Sequence, residues 1–155
     1  MSFVLRSKIT ATAIHIPLAE YLETSYSPDR EYIDGEVRER NGGIVGSVEQ
    51  RVLSALSRVR IPYVVVLSAG SQPDLLTDPP LLVIEFLSPD DSDSDTRERT
   101  KDYRDVGVER VGIIDPRTRT GRMCTGAQWI EAKRLTVAGT PLYIDLDAIF
   151  SQIQA

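Results

Sequence analysis

One apolar segment, residues 81–87, constrains the fold of this chain more than any other feature. It is the most apolar run in the sequence and predicts a buried central β-strand. Residues 64–67 and 111–115 are further runs rich in β-branched side chains. We expect the three to be neighbouring central strands of one mixed sheet, packed against a helix that lies between the last two.

The remaining elements follow from local patterns. We expect a loose arm over residues 1–16, a short helix over 18–26, and a hairpin over 31–37 that turns at Asp34-Gly35. The helix before residue 111 should start at Asp95 as N-cap and end at Gly107. Residues 48–59 fit either a helix or a strand pattern. Later strands are predicted near 121–124, 128–133 and 142–146, followed by a short helix. With no repeat and no linker, residues 1–155 form a single α/β domain.

Charge and cysteine content exclude several classes of protein. A net charge of −5 argues against coating DNA by charge alone. Cys124 is the only cysteine, so no internal disulfide can form, and a reducing cytoplasm is the expected setting. No apolar run is long enough to span a membrane. His15 and Cys124 have no ligand spacing around them, which argues against zinc. The acidic residues at 90, 91, 93 and 95 are interpreted as a solvated loop before the helix.

Glu85 interrupts the apolar segment. A buried carboxylate is costly unless a cation or a metal ion accompanies it. The alternative is a strand-end carboxylate that reaches water or accepts hydrogen bonds from backbone N–H groups. Arg99 shares one helical face with Tyr103 and Val106, so a cation should lean toward the sheet. A carboxylate with a nearby cation is what metal-dependent phosphodiester hydrolysis requires.

Five motifs occur in an order that resembles a known family. They are the segment 28–37, Arg60-Ile61-Pro62, the segment 79–89, Asp102-Tyr103 with Gly107-Val108, and Ile113-Ile114-Asp115-Pro116. Together they resemble the Uma family of restriction-endonuclease-like proteins, a bacterial branch of the PD-(D/E)xK nuclease superfamily. The resemblance runs from about residue 18 to residue 150. It implies a restriction-endonuclease-like α/β core, one mixed β-sheet flanked by helices, and Mg²⁺- or Mn²⁺-dependent hydrolysis of DNA.

The resemblance also assigns site residues. Glu85 stands at the metal-binding strand glutamate, Glu31 at an auxiliary N-terminal carboxylate, and Arg99 at the position of the helical lysine. Tyr63 stands where the family has an aspartate, and a neutral phenol is a poor ligand for magnesium. Arginine cannot act as a general base, although it can hold a phosphate. Asp74 is the other candidate for a second metal-binding carboxylate, but its loop position is more typical of a turn.

Three structural expectations complete the resemblance. A helix-length segment is missing at residues 41–47, which should uncover apolar sheet surface and favour a homo-oligomer. The resemblance favours a strand pair over residues 48–59. Gly112 replaces a usual tryptophan, which should thin the packing there.

Two functions therefore remain open. The first is a DNA endonuclease with an impaired site, in which Glu85 pairs with Arg99 and the Tyr63 hydroxyl bonds to Glu85 or to water. The second is a non-catalytic relative, with no metal bound, that binds nucleic acid or a protein.

Overall fold

The computed structural model describes residues 15–26, 30–39, 51–54, 58–70, 75–76 and 78–152. The helices in these ranges are α1 (Leu18–Glu23), α2 (Asp93–Asp105) and α3 (Leu146–Gln152). The strands are β1 (Arg30–Ile33), β2 (Glu36–Glu39), β3 (Arg51–Ser54), β4 (Arg58–Arg60), β5 (Val64–Val66), β6 (Leu75–Leu76), β7 (Leu82–Phe86), β8 (Val111–Asp115), β9 (Thr120–Thr125), β10 (Gln128–Glu131), β11 (Arg134–Thr136) and β12 (Tyr143–Asp145). The N-terminal arm and the missing segment of the sequence analysis lie outside the described residues.

The sheet that carries Glu85 has the strand order β10-β9-β8-β7-β5. Strands β7 and β8 run parallel, and the other neighbours pair antiparallel. The predicted mixed α/β fold is therefore confirmed, with β5, β7 and β8 as neighbours. However, β5 is the outermost described strand on its side rather than a central one.

A second five-stranded sheet has the order β2-β1-β4-β3-β6. The β1–β2 hairpin turns at Asp34 and Gly35 as predicted, and both residues have positive φ values, 49° and 98°. That combination is the type I′ geometry favoured in two-residue hairpins. Where residues 48–59 are described they form the strand pair β3–β4, so the helical alternative for this segment is wrong.

Helix α2 lies against one face of the Glu85 sheet. Tyr103 on α2 packs with Val83, Val111 and Ile113 in a buried apolar cluster. The helix begins three residues earlier than predicted: Ser92, not Asp95, is the N-cap, and its side-chain oxygen accepts a hydrogen bond from the Asp95 N–H at 3.1 Å. The start was misplaced because Ser92 and Asp95 are both favoured N-cap residues, and the sequence alone did not distinguish them. Gly107, with φ 94°, follows the helix end as predicted.

The opposite face of this sheet is covered by a second apolar cluster that includes Leu135 and Leu146. A Cβ atom added to Gly112 would lie 2.7 Å from Leu135 Cδ1. The expected thinning at Gly112 is therefore not found, because Leu135 from the unpredicted strand β11 fills the space. Helix α1 is shorter than predicted and packs Tyr21 against Tyr32 and Val59 of the second sheet. No helix among the described residues is both long and apolar enough to cross a membrane.

Candidate active site

Glu85 lies on the α2 side of β7, and its side chain is 2% exposed. Tyr103 donates its hydroxyl hydrogen to Glu85 Oε1. Arg99 Nη1 lies 3.5 Å from Glu85 Oε2. The expected Glu85–Arg99 ion pair is therefore present. Both partners come from α2, where Arg99 and Tyr103 are one helical turn apart and face the sheet.

Asp91 is the residue of this cluster that the sequence analysis missed. Its Oδ1 atom lies 3.2 Å from Arg99 Nη2, and its side chain is 2% exposed. The Ser88 N–H donates to Asp91 Oδ2 at 2.8 Å, which folds the loop back toward the sheet. Asp91 is therefore a buried site carboxylate rather than part of a solvated acidic loop. The spacing Ser88-x-x-Asp91 directly after a strand with a buried glutamate is the signal that could have found it.

Glu31 lies in a second buried cluster. Arg60 Nη1 donates to Glu31 Oε2 at 3.0 Å, and the Ile61 N–H donates to Oε1 at 3.2 Å. Arg60 also donates through Nε to Asp102 Oδ2 at 2.7 Å. The predicted auxiliary carboxylate is thus held by Arg60, a residue that the sequence analysis used only as part of a motif.

Arg58 extends the second cluster to the surface. Its guanidinium lies 2.6 Å from Asp34 Oδ2, 2.9 Å from Glu98 Oε1 and 3.1 Å from Asp102 Oδ1. Since Glu98 and Asp102 belong to α2 and Arg58 to β4, these ion pairs join the second sheet to the helix that supports Glu85.

The two clusters influence each other through charge. Burial alone would lower the pKa of the Arg99 guanidinium, but Glu85, Glu31 and Asp91 raise it above its ordinary value. Burial and the Glu85 carboxylate together raise the pKa of Tyr103 well above its usual range. Arg99 is therefore a permanent cation and Tyr103 a neutral donor, and the Glu31 charge acts on both.

Tyr63 packs its ring edge-on against Phe86, with centroids 5.5 Å apart. The antiparallel β5–β7 register pairs Val64 with Ile84, so the same register, continued by one residue, places the backbone of Tyr63 opposite Glu85. Phe86 belongs to the apolar cluster on the face of the sheet opposite α2, so the described ring contact does not test whether Tyr63 lies beside Glu85, and the bond of its hydroxyl to Glu85 or water stays a prediction. Asp74 lies outside the described residues.

The described carboxylates do not fit a resident divalent ion. The described part of the chain contains no group of three or more His, Cys, Asp and Glu side chains that could hold a metal ion. Glu85 and Asp91 share the Arg99 guanidinium, and Glu31 is bound by Arg60. The hard oxygens that magnesium requires are thus already engaged by arginine.

Comparisons with known proteins identify the family of this chain and a structure of similar fold. The family model described as "Uma2: Putative restriction endonuclease" matches residues 19–137. The fold is similar to the crystal structure of a putative nuclease belonging to DUF820 from Anabaena variabilis ATCC 29413, with a TM-score of 0.66 and 19% sequence identity. That match covers 88% of this chain and 98% of the other. No curated protein matches the chain.

Proposed function

This chain belongs to the Uma2 family, and from that premise we propose that it is a DNA endonuclease of the PD-(D/E)xK type with impaired Mg²⁺-dependent hydrolysis. The observation that carries the proposal is the position of Glu85 in the middle of β7, buried and facing α2, where the family pattern has its metal-binding glutamate. The impairment is inferred from the partners of Glu85, which are Arg99 and Tyr103. A carboxylate bound by a guanidinium and a phenol is less available to a metal ion.

Each site residue has a proposed role. Glu85 is the surviving metal-site carboxylate, and Asp74 is the candidate for the second one. Glu31 is an auxiliary carboxylate, because its charge acts on Arg99 and Tyr103 although Arg60 binds it directly. Arg99 is the cation on the phosphate side, since a guanidinium can bind phosphate but cannot accept a proton at neutral pH. The bacterial cytoplasm is the proposed setting, on the basis of the single cysteine.

Plasmid cleavage tests this proposal. The natural protein, Glu85→Gln and Glu131→Gln are incubated with supercoiled DNA and Mg²⁺ or Mn²⁺. Glu131 lies on an exposed position of β10 and serves as the matched control. We expect slow nicking by the natural protein, unchanged by Glu131→Gln and lost in Glu85→Gln. Nicking that persists in Glu85→Gln would show that Glu85 does not carry the reaction. Fast cleavage by the natural protein would disprove the impairment.

A second candidate function is non-catalytic binding of nucleic acid. The absence of catalysis is supported by the arginine side chains that pair with the buried carboxylates, and nucleic acid as the ligand is suggested by the family. DNA retention on a filter in the presence of a chelator, with no cleavage after metal is added, would support this candidate over the first. A protein partner would be the remaining alternative if DNA is neither cut nor retained.

A further inference from the structure

Glu85 and Asp91 share one cation, and that cation fits them poorly. An arginine often binds a single carboxylate through two parallel N–H bonds. The Arg99 guanidinium instead contacts two carboxylates: Nη1 lies 3.5 Å from Glu85 Oε2, and Nη2 lies 3.2 Å from Asp91 Oδ1. The Nε atom of Arg99 is buried and has no hydrogen-bond partner within the described part of the chain. The Arg99 side chain is nevertheless only 9% exposed. It is therefore held by charge more than by hydrogen-bond geometry.

Two carboxylates, each with a side chain that is 2% exposed, contact the same guanidinium. The Tyr103 hydroxyl donates to Glu85 and the Ser88 N–H donates to Asp91. Two buried carboxylates are a sufficient protein contribution for a hard divalent ion, because magnesium is commonly held by one or two carboxylates and several waters.

We infer that Glu85 and Asp91 form a two-carboxylate cation site whose resident cation is the Arg99 guanidinium, and that the site accepts a divalent ion once the guanidinium is removed. The second carboxylate then comes from the loop after β7, not from the strand position that Tyr63 occupies. This inference concerns the same pocket as the proposed nuclease function. The inference is tested by folding stability and the nuclease proposal by DNA cleavage. Either one can therefore fail while the other holds.

Thermal unfolding with Mn²⁺ or with a chelator provides the test. The proteins are the natural chain, Arg99→Met, Arg99→Met with Glu85→Gln, and Arg99→Met with Asp91→Asn. The control is Arg97→Met, which removes an exposed arginine of the same helix that pairs with Asp93. The natural chain and the control should melt at the same temperature with Mn²⁺ and with chelator. Arg99→Met should melt lower, because two carboxylates lose their cation.

Manganese should then raise the melting temperature of Arg99→Met by several degrees, and this rise should be lost in both double variants. If Arg99→Met does not fold in chelator, recovery of folded protein on adding Mn²⁺, absent in the double variants, is the same result. The inference would be overturned if Mn²⁺ changed the melting temperatures of the natural chain and of Arg99→Met by the same amount, or changed neither of them. A response that survives in both double variants would also overturn it.

Discussion

At the scale of single residues, Tyr63 stands where the family resemblance implies a metal-binding aspartate. Replacing Tyr63 with aspartate should raise the affinity for Mn²⁺, because it returns two hard oxygens near the level of Glu85. Calorimetric titration of the two proteins measures the change, with Tyr63→Asn as a control of similar size without charge. Catalysis need not return, since Arg99 remains. Tight binding by the natural chain, abolished by Glu85→Ala, would contradict the prediction and direct attention to Asp74.

Two buried residues should make the protein sensitive to alkaline pH. Burial raises the pKa of the Cys124 thiol from 9.0 to about 12, and burial with the Glu85 charge raises the pKa of Tyr103 well above 10.0. In the unfolded chain both groups lose their protons at the lower, ordinary pKa values. Their neutral forms therefore stabilise the fold fully below pH 9.0, and that contribution falls as pH rises past 9.0 and then 10.0.

Urea unfolding from about pH 8 to about pH 11 measures this effect. Each group should contribute a slope of up to about 1.4 kcal/mol per pH unit above its unfolded-state pKa. Cys124→Ala and Tyr103→Phe should each reduce the slope, whatever they do to stability at neutral pH. A slope that neither variant changes would show that these groups are not the cause.

The sequence predicted some site residues and not others, for a physical reason. Glu85 is a charge within an apolar run, and Arg99 lies one turn before Tyr103, so local patterns were enough to pair them. The burial of Asp91 depends on the Ser88 turn, and the contact of Arg60 with Asp102 depends on which strand lies beside α2. The Arg60–Asp102 contact joins segments that are distant in the chain, which a local pattern does not contain, whereas the Ser88–Asp91 turn is local and its spacing could have indicated it.

At the scale of secondary structure elements, the close contact between Gly112 of β8 and Leu135 of β11 should be intolerant of added volume. Gly112→Ala should destabilise the protein by about 1–3 kcal/mol, because the new Cβ would lie 2.7 Å from Leu135 Cδ1. Urea unfolding of Gly112→Ala, Leu135→Ala and the double variant tests the contact. The double variant should be less destabilised than the sum of the two single variants. Simple additivity would mean that the two side chains do not compete for space.

The same contact shows where element-level prediction ends. The hairpin at Asp34-Gly35 and strand β8 were predicted closely, since a two-residue turn signal and an apolar run are local. Strand β11 was not predicted, because its three residues alternate around a single buried side chain, Leu135. The packing consequence of Gly112 could not be judged without β11.

At the scale of the whole molecule, we expect self-association if a helix-length segment is missing at residues 41–47, as the family resemblance implies. Large apolar side chains are also exposed in other described parts of the chain, outside the sheet formed by β2, β1, β4, β3 and β6; they are Val64, Ile130, Leu142, Tyr143 and Ile149. We expect the average mass to rise with protein concentration and the melting temperature to be lower than that of a family member with the full-length segment. Light scattering after size separation measures the mass. A compact monomer at high concentration with a high melting temperature would count against this expectation.

The ion pairs of Arg58 and Arg60 with α2 have a consequence for how the stability of this protein is measured. They join β4 of the second sheet to the helix that packs on the first sheet. Guanidinium chloride is a concentrated solution of the same cation that these side chains carry, together with salt. It should compete for Asp102 and Glu98 and screen them, whereas urea carries no charge. The unfolding free energy extrapolated from guanidinium chloride should therefore be lower than that extrapolated from urea. The difference between the two values should be smaller in Arg58→Met. The choice of denaturant therefore decides whether the ion pairs between β4 and α2 contribute to the measured stability.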